Sequence, residues 1–169
     1  CRVCKNFFLD IEGSATFHTG LVHGHHTRLN RVANLLKFEF NDEQAYVLEF
    51  TEKKLRFYRD NGLITKTAIN ISAITQANPG VVTTSSAHNL VTGDEVFISG
   101  VVGMTQVNGE YFSVNVTGGS TFQLKDQDNA NVNTTGFTAY SSGGTMAQVY
   151  EIDTPYTEAL DLFALKTAQ

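Results

Sequence analysis

Two cysteines and two histidines near the start of the chain have the spacing of a zinc site. Cys1 and Cys4 are three positions apart, and His18 and His23 follow within the range found in zinc-binding modules. Thiolate and imidazole ligands in this pattern would hold a structural zinc ion. A zinc finger needs both histidines on one helix, however, and Gly20 lies between them among poor helix formers. We therefore predict no metal ion and no other cofactor, and keep the zinc site as the alternative.

The other histidines do not form a catalytic set. His25 and His26 adjoin His23 in a short cluster, for which adventitious metal binding is the alternative to a solvated loop. His88 precedes Leu90 in a predicted turn and has no nucleophile-elbow pattern around it, so we expect its side chain to satisfy backbone groups of the turn. The sequence thus predicts no catalytic residue and a protein that is not an enzyme.

The composition favours strands and argues against a nucleic-acid binder. Only 17% of the residues are charged and the formal net charge is -5, whereas phosphate binding requires clustered Lys and Arg. We expect the basic group of Lys53, Lys54, Arg56 and Arg59 to lie on an exposed strand edge, where charges prevent edge pairing. Passive contact with DNA in a lumen is the alternative. No apolar run approaches the roughly 20 residues that span a bilayer, so no membrane segment is predicted.

The elements that would position these residues are strands. Between residues 35 and 60, apolar and polar residues alternate in three runs, separated by polar breaks at 41–44 and 51–54. Alternation of period two with short breaks predicts an antiparallel meander of three strands. We expect its aromatic side chains to lie in a core or a subunit interface: Phe38, Phe40, Tyr46, Phe50, Phe57 and Tyr58.

Residues 71–147 form a second β-rich segment with almost no side chains that could do chemistry. Short β-branched or aromatic runs alternate with turns such as Asn78-Pro79-Gly80 and Asn108-Gly109. Short strands bounded by Gly or Asn indicate a small barrel or sandwich, and we expect roughly six such strands. We interpret the Ser/Thr/Gly-rich stretch that holds Gly136, Gly143 and Gly144 as a return loop.

The chain is therefore predicted to be all-β, an antiparallel meander interrupted by a small inserted β-barrel. Residues 56–60 and 149–152 would form a hairpin if the segment between them were removed. We assign residues 1–67 and 149–169 to a discontinuous host module and residues 68–148 to the inserted barrel. Such an insertion costs little, because the entropy of loop closure grows only logarithmically with length. Residues 157–166 are predicted to begin a short helix.

The barrel segment resembles a domain of a known enzyme family. The resemblance is carried by Asn78-Pro79-Gly80-Val81-Val82-Thr83-Thr84, His88-Asn89-Leu90-Val91-Thr92-Gly93-Asp94-Glu95-Val96 and Gly103-Met104-Thr105-Gln106-Val107-Asn108-Gly109. These phrases look like the β-barrel of the first catalytic-cysteine half-domain of ubiquitin-activating enzymes, and a similar domain recurs in bacteriophage structural proteins. In the activating enzymes the barrel lies beside the catalytic cysteine domain and does not carry the nucleophile. The resemblance thus implies a barrel without ubiquitin chemistry, and the segment contains no cysteine.

The flanking segments resemble a second family. Phe38-Glu39-Phe40-Asn41-Asp42-Glu43-Gln44, Leu55-Arg56-Phe57-Tyr58-Arg59-Asp60 and Tyr150-Glu151-Ile152-Asp153-Thr154-Pro155-Tyr156 look like the N-terminal region of tail nozzle or tube proteins of short-tailed bacteriophages. Residues 16–31 depart from that pattern. The resemblance implies a structural component of the virion tail, made in the bacterial host cytoplasm. It would assemble as a ring with copies of itself and with other tail proteins through β-rich interfaces, and the barrel would make peripheral contacts.

Two other classes of function stay open. A carbohydrate- or receptor-binding adhesin module is one, because small barrels present binding loops and this barrel has Asn/Thr/Ser-rich tips; its partner would be a host-surface glycan. The other is a zinc-stabilised nucleic-acid-binding protein that uses the cysteines and histidines near the start of the chain. Glycan-array screening and metal analysis would discriminate among these classes.

Overall fold

The computed structural model describes residues 7–9, 15–17, 26–41, 44–60, 62–157 and Leu162. The regular structure in these residues consists of strands and of two short 3-10 turns, Arg28–Asn30 and Thr105–Val107. This confirms the predicted all-β class. No helix in these ranges is long and apolar enough to cross a membrane. The strands in chain order are β1 Phe7–Leu9, β2 Ala15–Phe17, β3 Asn34–Asn41, β4 Gln44–Thr51, β5 Lys54–Arg59, β6 Gly62–Leu63, β7 Ile69–Ile74, β8 Val81–Thr84, β9 Glu95–Val102, β10 Glu110–Gly118, β11 Thr121–Lys125, β12 Ser142–Gln148 and β13 Glu151–Asp153.

An antiparallel sheet follows the order β13-β5-β4-β3, and β6 pairs with the free part of β5. Strands β3, β4 and β5 confirm the predicted meander. The hairpin predicted between residues 56–60 and 149–152 is confirmed in part: Glu151 of β13 lies opposite Arg56 and Asp153 lies opposite Lys54, whereas Tyr58 and Arg59 pair with β6. Strands β1 and β2 pair with each other in a separate two-stranded sheet.

The six strands from β7 to β12 close into a barrel in the order β10-β11-β8-β7-β12-β9, which confirms the predicted small barrel. They run from residue 69 to residue 148, inside the range assigned to the insert. The division of the chain into two domains stays a prediction. The barrel interior is filled by apolar side chains from the strands and from the segments that connect them: Ile71, Ile74, Val82, Leu90, Val96, Ile98, Val101, Met104, Val107, Phe112, Val114, Phe122, Leu124 and Met146.

Strand β12 corrects the prediction of a return loop around Gly143 and Gly144. Both glycines have positive φ angles, 69° and 87°, in a region that L side chains rarely adopt. A Cβ at Gly144 would come within 2.4 Å of the Val101 side chain, so only glycine allows β12 to lie this close to β9. The two glycines therefore permit close strand packing, and the composition that resembled a loop belongs to the last strand of the barrel.

The two faces of the sheet have an unusual division of polarity. Strand register places Glu49 beside Arg56 on the face that meets the barrel. It places Leu48 beside Phe57 on the opposite face. Side chains alternate between faces along a strand, so Glu49 and Arg56 face the barrel, whereas Leu48 and Phe57 face away from it.

The predicted zinc ligands lie outside the described residues. This applies to Cys1, Cys4, His18 and His23. His25 also lies outside them, as do most residues of the predicted helix at 157–166.

Candidate functional site

A buried ion-pair network joins the sheet to the barrel. Arg56 on β5 and Glu49 on β4 are both 0% exposed, and Glu95 on β9 is 3% exposed. Nη2 of Arg56 donates to both carboxylate oxygens of Glu49 at 2.8 Å, and Nη1 donates to Glu95. One guanidinium thus connects a neighbouring strand of its own sheet with a strand of the barrel. We call Glu49, Arg56 and Glu95 the junction triad.

Local structure explains how each member of the triad reaches this place. The turn at Glu52 and Lys53, with a φ of 58° at Lys53, joins β4 to β5. This turn sets the register that puts Glu49 directly opposite Arg56. On β9, Val96 is fully buried in the barrel core, so its neighbour Glu95 points outward, toward the sheet.

Further donors complete the hydrogen bonding of the two carboxylates. Tyr58 Oη donates to Glu49 Oε2 at 2.5 Å, and the backbone N–H of Arg28 donates to Glu49 Oε1 at 3.0 Å. Gln127 Nε2 donates to Glu95 Oε1 at 2.7 Å. Buried charges are tolerated when they are paired and hydrogen-bonded in this way. Nε of Arg56 has no hydrogen-bond partner among the described residues.

The charge states of the triad are fixed by burial and by its own members. Burial alone would lower the pKa of Arg56, but the carboxylates of Glu95 and Glu49 outweigh burial and raise this pKa above its ordinary value. Burial, with a smaller contribution from the hydrogen bond to Glu49, raises the pKa of Tyr58 well above its usual range. Arg56 therefore stays cationic and Tyr58 stays a neutral donor across the physiological range.

A second group of charges borders the triad. Nε of Arg28 donates to Glu151 Oε1 at 2.7 Å, and its Nη2 donates to the carbonyl oxygen of Gly93 on the barrel at 2.8 Å. Lys54 Nζ lies 2.7 Å from Asp153 Oδ1. Burial raises the pKa of Glu151 despite the opposing effect of the Arg28 guanidinium. These side chains line a cleft of about 450 Å³ between the sheet and the barrel.

Polar side chains of this cleft form hydrogen bonds with one another. Lys66 Nζ donates to Gln148 Oε1 at 3.0 Å, and Gln148 Nε2 donates to Asp94 Oδ2 at 2.7 Å. In the described ranges, no group of three His, Cys, Asp or Glu side chains could hold a metal ion. The arrangement can fix two surfaces against each other by charge-assisted hydrogen bonds.

His88 behaves as expected from the sequence. It is buried, and its Nδ1 accepts a hydrogen bond from the backbone N–H of Leu90 at 3.0 Å. The imidazole also meets the Phe122 ring edge-on, with centroids 5.5 Å apart. Its side chain therefore stabilises the turn before β9, which confirms the expectation that His88 satisfies backbone groups.

The prediction that the basic group of Lys53, Lys54, Arg56 and Arg59 lies on an exposed strand edge is wrong for Arg56. Arg56 lies on β5, between β4 and β13, and is completely buried. The prediction failed because a charged residue within a strand was assumed to face solvent, whereas Glu49 and Glu95 compensate the charge of Arg56 inside the protein. The aromatic residues of the meander are also divided: Tyr58 reaches the triad, while Phe50 and Phe57 lie on the opposite face.

Sequence reasoning missed Glu49, Glu95 and Arg28 as members of a site. The pair Glu49–Arg56 had a detectable signal, because two opposite charges at facing positions of a hairpin with a short turn are expected to interact. No local signal identifies Glu95. Its contact with Arg56 spans 39 positions and depends on how the barrel lies on the sheet.

Comparisons with known proteins match the barrel. Residues 77–150 match the family model described as "Ubiquitin-activating enzyme E1 FCCH domain". "Ubiquitin-like modifier-activating enzyme 1" of Rattus norvegicus is 39% identical over 82 residues, which cover 47% of this chain and 7% of that protein. The Mus musculus protein of the same name gives the same values. "Ubiquitin-like modifier-activating enzyme 6" of Homo sapiens is 36% identical over 95 residues, which cover 55% of this chain and 8% of that protein.

The chain spans less than a tenth of the length of these curated relatives. The predicted role as a structural component of a bacteriophage tail, with its location in the virion, is wrong: the matching family model and relatives are ubiquitin-activating enzymes. The adhesin and zinc-stabilised alternatives gain no support from these relatives. The flanking phrases misled because alternating strand patterns recur in unrelated antiparallel sheets. The barrel segment, residues 77–150, is similar to the FCCH domain of ubiquitin-activating enzymes.

Proposed function

We propose that this chain is a non-catalytic positioning module, in which the sheet holds the barrel in one orientation so that the barrel can contact another protein. The observation that carries the proposal is the buried junction triad, in which Arg56 links Glu49 of the sheet to Glu95 of the barrel. A buried charge that loses its partner is strongly unfavourable, so the triad opposes any rotation that would separate Arg56 from Glu95. We assign the triad a role in fixing this arrangement rather than in raising stability, because replacement of a whole buried ion pair by apolar residues is often neutral or stabilising.

The two chain connections between sheet and barrel support this orientation. The segment that leads into the barrel and the segment that leaves it run side by side: Lys66 N–H donates to the carbonyl oxygen of Gln148 at 2.7 Å, and Tyr150 N–H donates to that of Ile64 at 2.8 Å. Between Gln148 and Tyr150, Val149 N–H donates to the carbonyl oxygen of Glu95 at 2.8 Å. Two connections that are hydrogen-bonded to each other resist twisting better than a single flexible linker.

The non-catalytic part of the proposal is supported by the engagement of the charged groups. The carboxylates of Glu49 and Glu95 accept hydrogen bonds from protein donors and are shielded from solvent. A general acid or base must come within hydrogen-bond reach of a substrate, which these buried groups do not. The barrel segment also lacks cysteine, so it could not supply the nucleophile of a thioester-forming enzyme.

The relatives suggest the class of partner. Their names describe enzymes that activate ubiquitin-like modifiers. We assign a small folded protein of this class as the partner of the barrel. Titration of the isotope-labelled chain with ubiquitin, followed by amide chemical shifts, tests this assignment: shifts are expected to cluster on barrel strands. An unchanged spectrum at millimolar ubiquitin would reject this partner and leave the positioning role to be tested separately.

Residual dipolar couplings of backbone N–H bonds test the positioning role. Couplings from β3–β5 and from β7–β12 are expected to fit one common alignment tensor in the natural chain. The triple variant Glu49→Leu, Arg56→Met, Glu95→Leu replaces the triad with apolar side chains of similar volume and leaves no unpaired charge. We expect its sheet and barrel to require different tensors. Arg59→Met removes an exposed cation on the same strand and serves as the control. A triple variant that keeps the common tensor would contradict the proposal.

A further inference from the structure

The turn that leads into β10 contains an asparagine followed by a glycine. Asn108 follows the short 3-10 turn Thr105–Val107, and Gly109 has a positive φ of 79°. In a flexible chain, a side-chain amide that precedes glycine is open to attack by the glycine nitrogen, because glycine has no Cβ to block the approach and few limits on its backbone angles. The fold around this pair of residues determines whether the attack can occur.

The side-chain amide of Asn108 is held at both ends by β9. Its Nδ2 donates to the carbonyl oxygen of Val101 at 2.8 Å, and its Oδ1 accepts from the backbone N–H of Val101 at 2.8 Å. A residue of a neighbouring strand would make the same pair of bonds, and Val101 itself is 3% exposed. The amide carbon and the –NH₂ group that would leave are thus fixed against β9.

The nitrogen of Gly109 is also engaged. Its N–H donates to the carbonyl oxygen of Ile98 at 2.8 Å. The turn is anchored from inside the barrel by Val107, whose side chain is 0% exposed. Attack on the amide carbon requires the Gly109 nitrogen to leave Ile98 and the amide to leave Val101, so the reaction requires the turn to separate from β9.

We propose that Asn108 is a site of spontaneous deamidation that is closed in the folded barrel and opens when residues 104–109 separate from β9. In the open turn the Gly109 nitrogen gives up its proton and attacks Cγ of Asn108. An N–Cγ bond forms, the Cγ–Nδ2 bond breaks, and ammonia leaves with the proton. Water then adds across one of the two C–N bonds of the resulting cyclic imide. Opening at Cγ gives aspartate, and opening at the backbone carbonyl gives an isoaspartyl link.

Either product opposes the return of the turn to β9. Aspartate at position 108 has a carboxylate oxygen in the place of the Nδ2 donor, and this oxygen would face the Val101 carbonyl oxygen with no proton between them. An isoaspartyl link adds one carbon to the backbone, which shifts β10 relative to Ile98. The reaction would therefore convert a transient opening of the barrel into a permanent one, because the ammonia is lost to solvent.

Peptide mass spectrometry of the full chain during incubation in mildly alkaline buffer tests the proposal. Conversion of Asn108 is expected to be more than about tenfold slower in the folded chain than in denaturing guanidinium chloride. Gly144→Ala should accelerate conversion in the folded chain, because a Cβ at Gly144 would lie 2.4 Å from the Val101 side chain and 3.0 Å from the Val101 Cα, and would displace the residue that holds the amide. Gly119→Ala has open space around the new Cβ and should leave the rate unchanged.

Hydrogen exchange of the natural chain keeps the test decisive if Gly144→Ala does not fold. Across low concentrations of guanidinium chloride, the rate of Asn108 conversion should rise in parallel with exchange of the Gly109 amide. Equal conversion rates in the folded and the unfolded chain would overturn the proposal, as would a conversion rate that stays constant while exchange of the Gly109 amide rises.

A variant that mimics the simpler product tests its effect on the fold. Asn108→Asp should lower the thermal midpoint by about 2–12 °C, because it removes a donor from the Val101 carbonyl oxygen. Asn131→Asp makes the same change at an exposed residue of the barrel segment and should leave the midpoint unchanged. An Asn108→Asp variant as stable as the natural chain would refute the claim that the product opposes closure.

Discussion

Replacing Arg56 with methionine removes the cation that lies between two buried carboxylates. Glu49 and Glu95 are 0% and 3% exposed, so neither can recover hydration without opening the junction between sheet and barrel. Breaking a buried pair by removing one partner costs about 3–5 kcal/mol. Since about 1 kcal/mol shifts the unfolding midpoint of a chain of this size by about 2–4 °C, we expect Arg56→Met to lower the midpoint by about 6–20 °C.

The assay is thermal and urea unfolding followed by far-ultraviolet circular dichroism. The triple variant Glu49→Leu, Arg56→Met, Glu95→Leu should recover most or all of the stability, because replacement of a whole buried ion pair or triad by apolar residues is often neutral or stabilising. Arg59→Met is the matched control: its ion pair with Asp60 is exposed, and such pairs contribute at most about 1 kcal/mol. An Arg56→Met variant as stable as Arg59→Met would refute the reasoning, as would a triple variant no more stable than Arg56→Met.

Three further predictions follow from individual contacts. Burial raises the folded-state pKa of Glu151, so the natural chain should lose stability relative to Glu151→Gln as pH rises above about 4, measured by urea midpoints; a constant difference would argue against it. Tyr58→Phe removes a donor to the buried Glu49 carboxylate and should cost about 1–3 kcal/mol in urea unfolding; a variant as stable as the natural chain would contradict this. Gly144→Ala should lower the thermal midpoint strongly, because its Cβ would lie 2.4 Å from a side chain of β9, whereas Gly119→Ala, with open space around it, should not.

The barrel and the meander could be predicted because their information is local. Turn residues such as Asn108-Gly109 and alternating apolar runs mark where strands begin and end. Even the pairing of β5 with β13, which the barrel residues separate in the sequence, was predictable, because both segments carry strand patterns that need a partner. Strand β12 was missed because its Ser, Gly and Thr residues lack alternation, and its glycines are required by contact with a distant strand.

The site was less predictable because it depends on contacts between distant segments. Arg56 alone suggests an exposed charge, and only the approach of Glu95 makes its burial favourable. The function suggested by the flanks was wrong for a related reason: alternating patterns specify a sheet, whereas function depends on the site that the sheet carries.

The junction triad also constrains how this sequence can change over time. Because one guanidinium serves carboxylates from two separate segments, loss of its charge leaves two buried carboxylates without compensation. Lysine is a poor replacement for Arg56, since an ammonium cannot reproduce the forked geometry of a guanidinium. In an alignment of proteins that carry this barrel on a similar sheet, positions 49, 56 and 95 should therefore covary, either all charged or all apolar. That covariation would identify the proteins whose barrel has the same orientation.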